Sequence, residues 1–147
     1  MTDQRADILL VEDNPNDVKL TLHAFKTANL ANSVHVARDG VEALEYLFGA
    51  TPDTDEAVPE KPKLILLDLK LPRLDGHEVL KRIKNDPRTS AIPVVVLTSS
   101  AEERDVMQTY EVGANSYIIK PVDFEQFTES VRDIGKYWLV LNHPQSG

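Results

Sequence analysis

The chain has 147 residues, 41% of them hydrophobic and 27% charged, with a formal net charge of −8 and no cysteine. That length fits one domain, and the balance of apolar and charged residues excludes a disordered or fibrous chain. Without cysteine there can be no disulfide, thiol nucleophile, iron–sulfur cluster or thiolate zinc site.

The N-terminal residues Met1 to Asp7 lack a basic-then-apolar leader, and no run approaches the ~18 apolar residues of a membrane span. The chain is therefore expected in the cytoplasm, with no membrane partner. Its excess acid is confined to residues 1–60, where 12 acidic residues meet 4 basic ones; residues 61–147 hold 12 of each. Lys81, Arg82 and Lys84 form the densest basic group, and their spacing spreads them around one helix as a solvated face. A nucleic-acid binder clusters its Lys and Arg against phosphates, so DNA or RNA is not an expected partner.

In chain order, the first apolar run is Ile8-Leu9-Leu10-Val11. A helix follows, with Asn14 as N-cap, Pro15 at its first position and Val18, Leu22 and Phe25 on one face. Val34-His35-Val36 is a second short strand, and Arg38-Asp39-Gly40 reads as a turn and helix start. The next helix carries Val41, Leu44, Leu47 and Phe48. Residues 50–62, with three prolines and four acids before Lys61, read as an inserted surface loop. Leu64-Ile65-Leu66-Leu67 is the third strand, and Val79, Leu80 and Ile83 mark a helix beginning near Asp75 or Gly76. Val94-Val95-Val96-Leu97 is the fourth strand. Val106, Met107 and Tyr110 indicate a helix ended by Gly113. Tyr117-Ile118-Ile119 is the fifth strand. Asp123 then precedes a last helix with Phe124, Phe127, Val131, Ile134, Trp138 and Leu141 on one stripe. Residues 143–147 read as a flexible tail.

Three of the five runs are continuously apolar, as in parallel strands covered on both faces. Five alternations of strand and helix predict an α/β fold: a doubly wound, five-stranded parallel sheet with helices on both faces, in a single domain whose core spans about 7–141. In such a sheet, ligands bind beyond the carboxyl ends of the strands. There the sequence places Glu12-Asp13 after the first run, Asp68 after the third, Thr98-Ser99-Ser100 after the fourth and Lys120-Pro121 after the fifth. Two carboxylates 4 Å apart repel by about 4 kcal/mol at an effective dielectric of 20. Proton uptake or a bound cation relieves this. Oxygen-only ligands select a hard ion such as Mg²⁺ or Mn²⁺, and three carboxylates, a divalent ion and Lys120 sum to zero charge. The four histidines (His23, His35, His77 and His143) have no short metal-ligand spacing.

Val11-Glu12-Asp13, Leu67-Asp68-Leu69-Lys70-Leu71-Pro72-Arg73-Leu74-Asp75-Gly76, Leu97-Thr98-Ser99 and Gly113-Ala114-Asn115-Ser116-Tyr117-Ile118-Ile119-Lys120-Pro121, in this order and each at a strand end, resemble the receiver domain of two-component response regulators. The resemblance covers residues 7–141 and implies the flavodoxin-like receiver fold. Ala37-Arg38-Asp39-Gly40, Ile92-Pro93-Val94-Val95-Val96-Leu97-Thr98 and Tyr137-Trp138-Leu139 are similar to the small stand-alone regulators paired with bacterial phytochrome kinases. The family's chemistry, carried onto matching positions, implies that Asp68 accepts a phosphoryl group from a partner histidine kinase. Asp13, Asp68 and the Lys70 backbone carbonyl would bind Mg²⁺, with Glu12 acting mainly through bound water. Lys120 would pair with the phosphoryl oxygens, and Thr98 would turn its hydroxyl toward them while Tyr117 rotates inward as the switch. The output surface would lie at about 101–141, with a homodimer through it as one outcome, in a phytochrome-type light-sensing pathway. The resemblance implies a signalling protein and not an enzyme, beyond self-catalysed phosphotransfer and slow autodephosphorylation.

Three other functions fit less well. A flavodoxin-like electron carrier needs a phosphate-cradling loop where this chain has Glu12-Asp13-Asn14. A haloacid-dehalogenase-like phosphatase needs an Asp where this chain has Lys70. A degenerate receiver serving as a phosphorylation-independent binding module would not need every active-site position filled.

Overall fold

The computed structural model describes residues 8–28, 34–49, 61–71, 73–98, 113–114, 116–119 and 124–134. The strands are β1 (Ile8–Val11), β2 (Val34–Ala37), β3 (Leu64–Asp68), β4 (Val94–Thr98) and β5 (Ser116–Ile119). The helices are α1 (Pro15–Ala28), α2 (Gly40–Phe48), α3 (Gly76–Asn85) and α4 (Phe124–Ile134). All strand pairs are parallel, in the order β2-β1-β3-β4-β5. The expected five-stranded α/β sheet is the sheet observed. The sequence-predicted helix around Val106 to Tyr110, most of the 50–62 loop, and Trp138, Leu141 and the tail lie outside the described residues.

Period-2 alternation sorts the apolar runs onto two faces. Leu9, Val11, Ile65, Leu67, Val94 and Val96 are buried with Ala43 and Leu47 of α2 and Val79, Leu80 and Ile83 of α3. Ile8, Leu10, Leu64, Leu66, Val95 and Leu97 are buried with Val18, Ala24 and Phe25 of α1, and α4 packs against α1. With helices on both sides, neither face of β1, β3 or β4 meets water, which is why these runs are continuously apolar. Truncating such a residue, Leu67→Ala for example, removes about 2–5 kcal/mol of stability.

The helix starts follow from their caps. Asn14 Oδ1 accepts the amides of Asn16 (2.9 Å) and Asp17 (3.2 Å) ahead of α1. Asp39 accepts the Glu42 amide at 2.8 Å, and Asp75 accepts the His77 amide at 2.9 Å. Each satisfies an amide that the first helical turn leaves without a partner. Leu22 departs from the expected buried stripe. It is 37% exposed, whereas Thr21 is buried with its hydroxyl donating to the Asp17 carbonyl at 2.7 Å.

Candidate functional site

Parallel pairing sets the site. The register places Val11 beside Leu67 and Asp68 beside Leu97, so Glu12 and Asp13 leave β1 at the level where β3 ends in Asp68. The ladder runs one residue further on both sides. The Glu12 amide donates to the Ala37 carbonyl at 2.9 Å, and the Leu69 amide to the Leu97 carbonyl at 3.1 Å. Carboxylate oxygens of Glu12, Asp13 and Asp68 then lie within 4.8 Å of one another. Glu12 is fully buried and Asp68 is 5% exposed, while Asp13 is exposed, so the cluster opens to solvent on the Asp13 side.

Local hydrogen bonds aim these side chains. The Lys70 amide donates to Asp68 Oδ1 at 3.0 Å, fixing one oxygen of the carboxylate by a two-residue turn. The Asn14 amide donates to Glu12 Oε2 at 3.2 Å. Like charges no more than 4.8 Å apart repel by roughly 3.5 kcal/mol or more per pair at an effective dielectric of 20. A hard cation removes that penalty. Ligand oxygens at about 2.1 Å from an octahedral ion stand about 3–4 Å apart, so the donor set fits a Mg²⁺- or Mn²⁺-class ion with small side-chain adjustments or a bridging water. Its all-oxygen chemistry matches that choice.

The connection from β3 to α3 is wedged into place. Gly76 donates its amide to the Leu69 carbonyl at 3.1 Å. Gly40, at the start of α2, leaves no room for a Cβ: the Leu74 carbonyl oxygen and Val79 Cγ2 would each lie 2.7 Å away. Arg73 takes a left-handed backbone (φ 67°) and pairs with Asp39 Oδ2 at 3.1 Å. That conformation crowds the Cβ of a non-glycine residue and costs about 1–2 kcal/mol, so surrounding contacts must hold it. Neither Arg73 nor Asp39 is singled out by sequence reasoning as part of the site.

Among the expected site residues, Glu12, Asp13 and Asp68 are brought together, and Lys70 sits two residues beyond Asp68 with its amide on that carboxylate. Thr98 closes β4 opposite Ile119, and Tyr117 lies in β5 opposite Val96. Their side chains, and Lys120 altogether, lie outside the described part of the chain. A groove of about 670 Å³ runs between α2 and α3, lined by residues such as Leu44, Phe48, Lys81 and Arg88. None of the three carboxylates lines it. Among the described residues, no helix is long and apolar enough to cross a membrane.

Comparison with known proteins agrees with this geometry. Residues 8–132 match the family described as response regulator receiver domain. The chain is 43% identical over 135 residues to a probable methanogenesis regulatory protein, FilR2, of Methanothrix harundinacea, covering 92% of this chain and 84% of that protein. It is 39% identical to response regulator Rcp1 of Synechocystis over 90% of this chain and 88% of that one. The Mn²⁺-bound crystal structure of Rcp1 superposes with a TM-score of 0.76, covering 92% of this chain and 95% of that chain. The crystal structure of the phosphorylated cyanobacterial phytochrome response regulator RcpA, at 40% identity, gives a TM-score of 0.80 over 93% of this chain and 96% of that chain.

Proposed function

The chain belongs to the response regulator receiver domain family, and we propose that it is a phosphoryl-accepting signalling switch with Asp68 as the acceptor. Receiver domains take phosphoryl groups from histidine kinases. One observation carries the assignment: Asp68 ends the central strand, 5% exposed, with its carboxylate beside those of Glu12 and Asp13. A carboxylate buried among like charges is costly unless a counter-charge is part of its working state.

The reaction needs little covalent chemistry from the protein. An Asp68 oxygen attacks the phosphorus of a phosphohistidine, the phosphorus–nitrogen bond breaks, and the imidazole nitrogen leaves with the bonding electron pair and takes up a proton. The Asp68 carboxylate thereby becomes an acyl phosphate. Asp13, Asp68 and the Lys70 carbonyl, with Glu12 through water, are the groups that would hold a divalent ion. Such an ion, when bound, would neutralise charge on the transferring phosphoryl oxygens. The Lys70 amide orients the acceptor by holding Asp68 Oδ1. In this reading, Lys120 pairs with the phosphoryl oxygens, Thr98 donates its hydroxyl to them, and Tyr117 turns inward as Thr98 moves. A local charge change is thus read out as a two-state rearrangement.

The finer reading is a single receiver unit over about 7–141, acting in the cytoplasm, that loses its phosphoryl group slowly by its own chemistry. Its partner is a phytochrome-class kinase, and its output surface at about 101–141 serves for partner docking or homodimer formation. The likeness to RcpA supports the light-sensing link, while that to FilR2 makes kinase identity the point to test. A phosphorylation-independent binding module would have no use for three crowded carboxylates.

The decisive experiment is incubation with acetyl phosphate and Mg²⁺, followed by intact mass. Wild-type protein gains one phosphoryl mass, chelator prevents the gain, and Asp68→Asn abolishes it. Labelling that persists in Asp68→Asn would overturn the assignment. Phosphotransfer from a bacteriophytochrome kinase in red and far-red light, with an unrelated histidine kinase alongside, tests the partner. Equal transfer from both would remove the light-sensing reading.

A further inference from the structure

The carboxylate of Asp39 is shared between two elements. Its Oδ1 accepts the Glu42 amide at 2.8 Å and caps α2, while its Oδ2 takes the Arg73 guanidinium at 3.1 Å from the β3–α3 connection, 34 residues further along the chain. Asp39 is 8% exposed, so its charge is turned inward at the end of β2. Arg73 has a largely exposed side chain (61%) on a left-handed backbone, a conformation that arginine does not adopt for its own sake.

We propose that Arg73 is a positioning residue for the cation and phosphoryl site: its ion pair with Asp39 holds the β3–α3 connection in the conformation that presents the Lys70 carbonyl and the Asp68 carboxylate together. This rests on the reading of Asp68 as phosphoacceptor. Among its described residues, the connection is held at its start, at its end and from the side. At its start, the Lys70 amide is bonded to Asp68 Oδ1; at its end, the Gly76 amide is bonded to the Leu69 carbonyl. Both lie on the strand side. The lateral anchor is the seat of Leu74 against Gly40, together with the Arg73–Asp39 pair one residue away. Without the pair, Arg73 is free to leave its left-handed conformation, and the Lys70 carbonyl moves with it.

The charge on Arg73 is mostly solvated, so the pair contributes little to global stability. Its effect is local, and that gives a distinguishing signature. Arg73→Gly removes the side chain but suits the left-handed backbone. Asp39→Asn keeps an N-cap for α2 but loses the charge. Mn²⁺ affinity measured by isothermal titration calorimetry on the full chain should weaken about two- to fivefold in each, the range that the coupling of one exposed ion pair supplies. The melting temperature of Arg73→Gly should equal or exceed that of wild type. The double variant should bind Mn²⁺ no worse than either single one, because both break the same link. Arg73→Lys, which keeps the charge but not the fork, should recover part of the affinity. Wild-type Mn²⁺ affinity in both Arg73→Gly and Asp39→Asn, with Asp13→Asn still weakened, would overturn the proposal and leave the site reading intact. Unchanged affinity in Asp13→Asn would instead remove the site reading on which the proposal stands.

Discussion

Gly76, the first residue of α3, lies directly against the carbonyl oxygen of Asp68. A Cβ built at position 76 would press on that oxygen and stand 2.5 Å from Leu69 Cα. Both neighbours are backbone, so neither can swing aside. Gly76→Ala must therefore displace α3 or the end of β3, the strand that ends in Asp68. Overpacking of this kind costs about 1–3 kcal/mol. We expect Gly76→Ala to lose that much stability in urea denaturation and to accept phosphoryl from acetyl phosphate more slowly than wild type even where both are fully folded. Unchanged stability and an unchanged labelling rate would mean that the backbone there relaxes freely.

The crowding of Glu12, Asp13 and Asp68 within 4.8 Å predicts how the protein responds to divalent ions. Like charges this close destabilise the metal-free protein, and an ion that binds only the folded state stabilises it in proportion to RT ln(1 + [L]/Kd), about 2.7 kcal/mol at a hundredfold excess over Kd. Asp13 is the exposed member, so Asp13→Asn relieves repulsion without leaving a buried cavity. We expect the melting temperature of wild type to rise with added Mg²⁺ and fall back with chelator. Asp13→Asn should be at least as stable as wild type without metal and gain little from Mg²⁺. A full Mg²⁺-induced rise in Asp13→Asn would place the ion elsewhere.

The same residues mark what could be read from sequence and what could not. Glu12, Asp13 and Asp68 were legible because each directly follows an apolar run, and parallel strands bring their carboxyl ends to one edge. Asn14 and Asp75 were legible as helix starts because short acceptor side chains cap amides locally. Leu22 faces outward where its spacing from Val18 and Phe25 suggests one common face, because helical spacing alone cannot tell position 21 from 22. Thr21 takes the inward place by returning its hydroxyl to the Asp17 carbonyl, which lets a polar residue be buried there. Arg73 was invisible as a site residue for a different reason. Its left-handed backbone and its pairing with Asp39 depend on how the β3–α3 connection meets α2, and no local pattern encodes a contact across 34 residues.

At the far end of α3, Asp86 sits under the guanidinium of Arg88, which donates to it from Nε at 3.1 Å and Nη2 at 2.9 Å, with the Arg88 amide adding a bond at 2.8 Å. The Arg88 side-chain hydrogen bonds are the main reason that Asp86 is held below its ordinary value of 3.8; burial opposes them, and the Arg88 amide, its charge and that of Lys61 reinforce them. A carboxylate whose pKa is depressed on folding contributes stability that is present above its unfolded value and lost as pH falls through the folded one. Asp86→Asn should therefore be less stable than wild type at pH 7, by about 0.2–1 kcal/mol for a partly exposed pair. The difference should shrink once pH drops below 3.8. A constant difference between pH 7 and pH 3, followed by chemical denaturation, would contradict the pairing. Mn²⁺ affinity should not change, because Asp86 lies a full helix away from Asp68.

Thr89 supplies the matching test for a residue that serves the fold alone. It is fully buried, and its hydroxyl donates to the Ile83 carbonyl at 2.6 Å, satisfying an acceptor that the last turn of α3 leaves open. Its amide donates to the Asp86 carbonyl at 3.0 Å, and its own carbonyl accepts the Ile92 amide at 3.0 Å, so residue 89 joins α3 to the approach of β4. Thr89→Val keeps the shape, removes the donor and strands a buried carbonyl, at a cost of about 1–3 kcal/mol. We expect a lower denaturation midpoint in Thr89→Val with wild-type phosphorylation and Mn²⁺ affinity at temperatures where it is folded. A loss of Mn²⁺ affinity in the folded variant would show that the carboxylate site depends on the α3–β4 turn as well as on the β3–α3 connection.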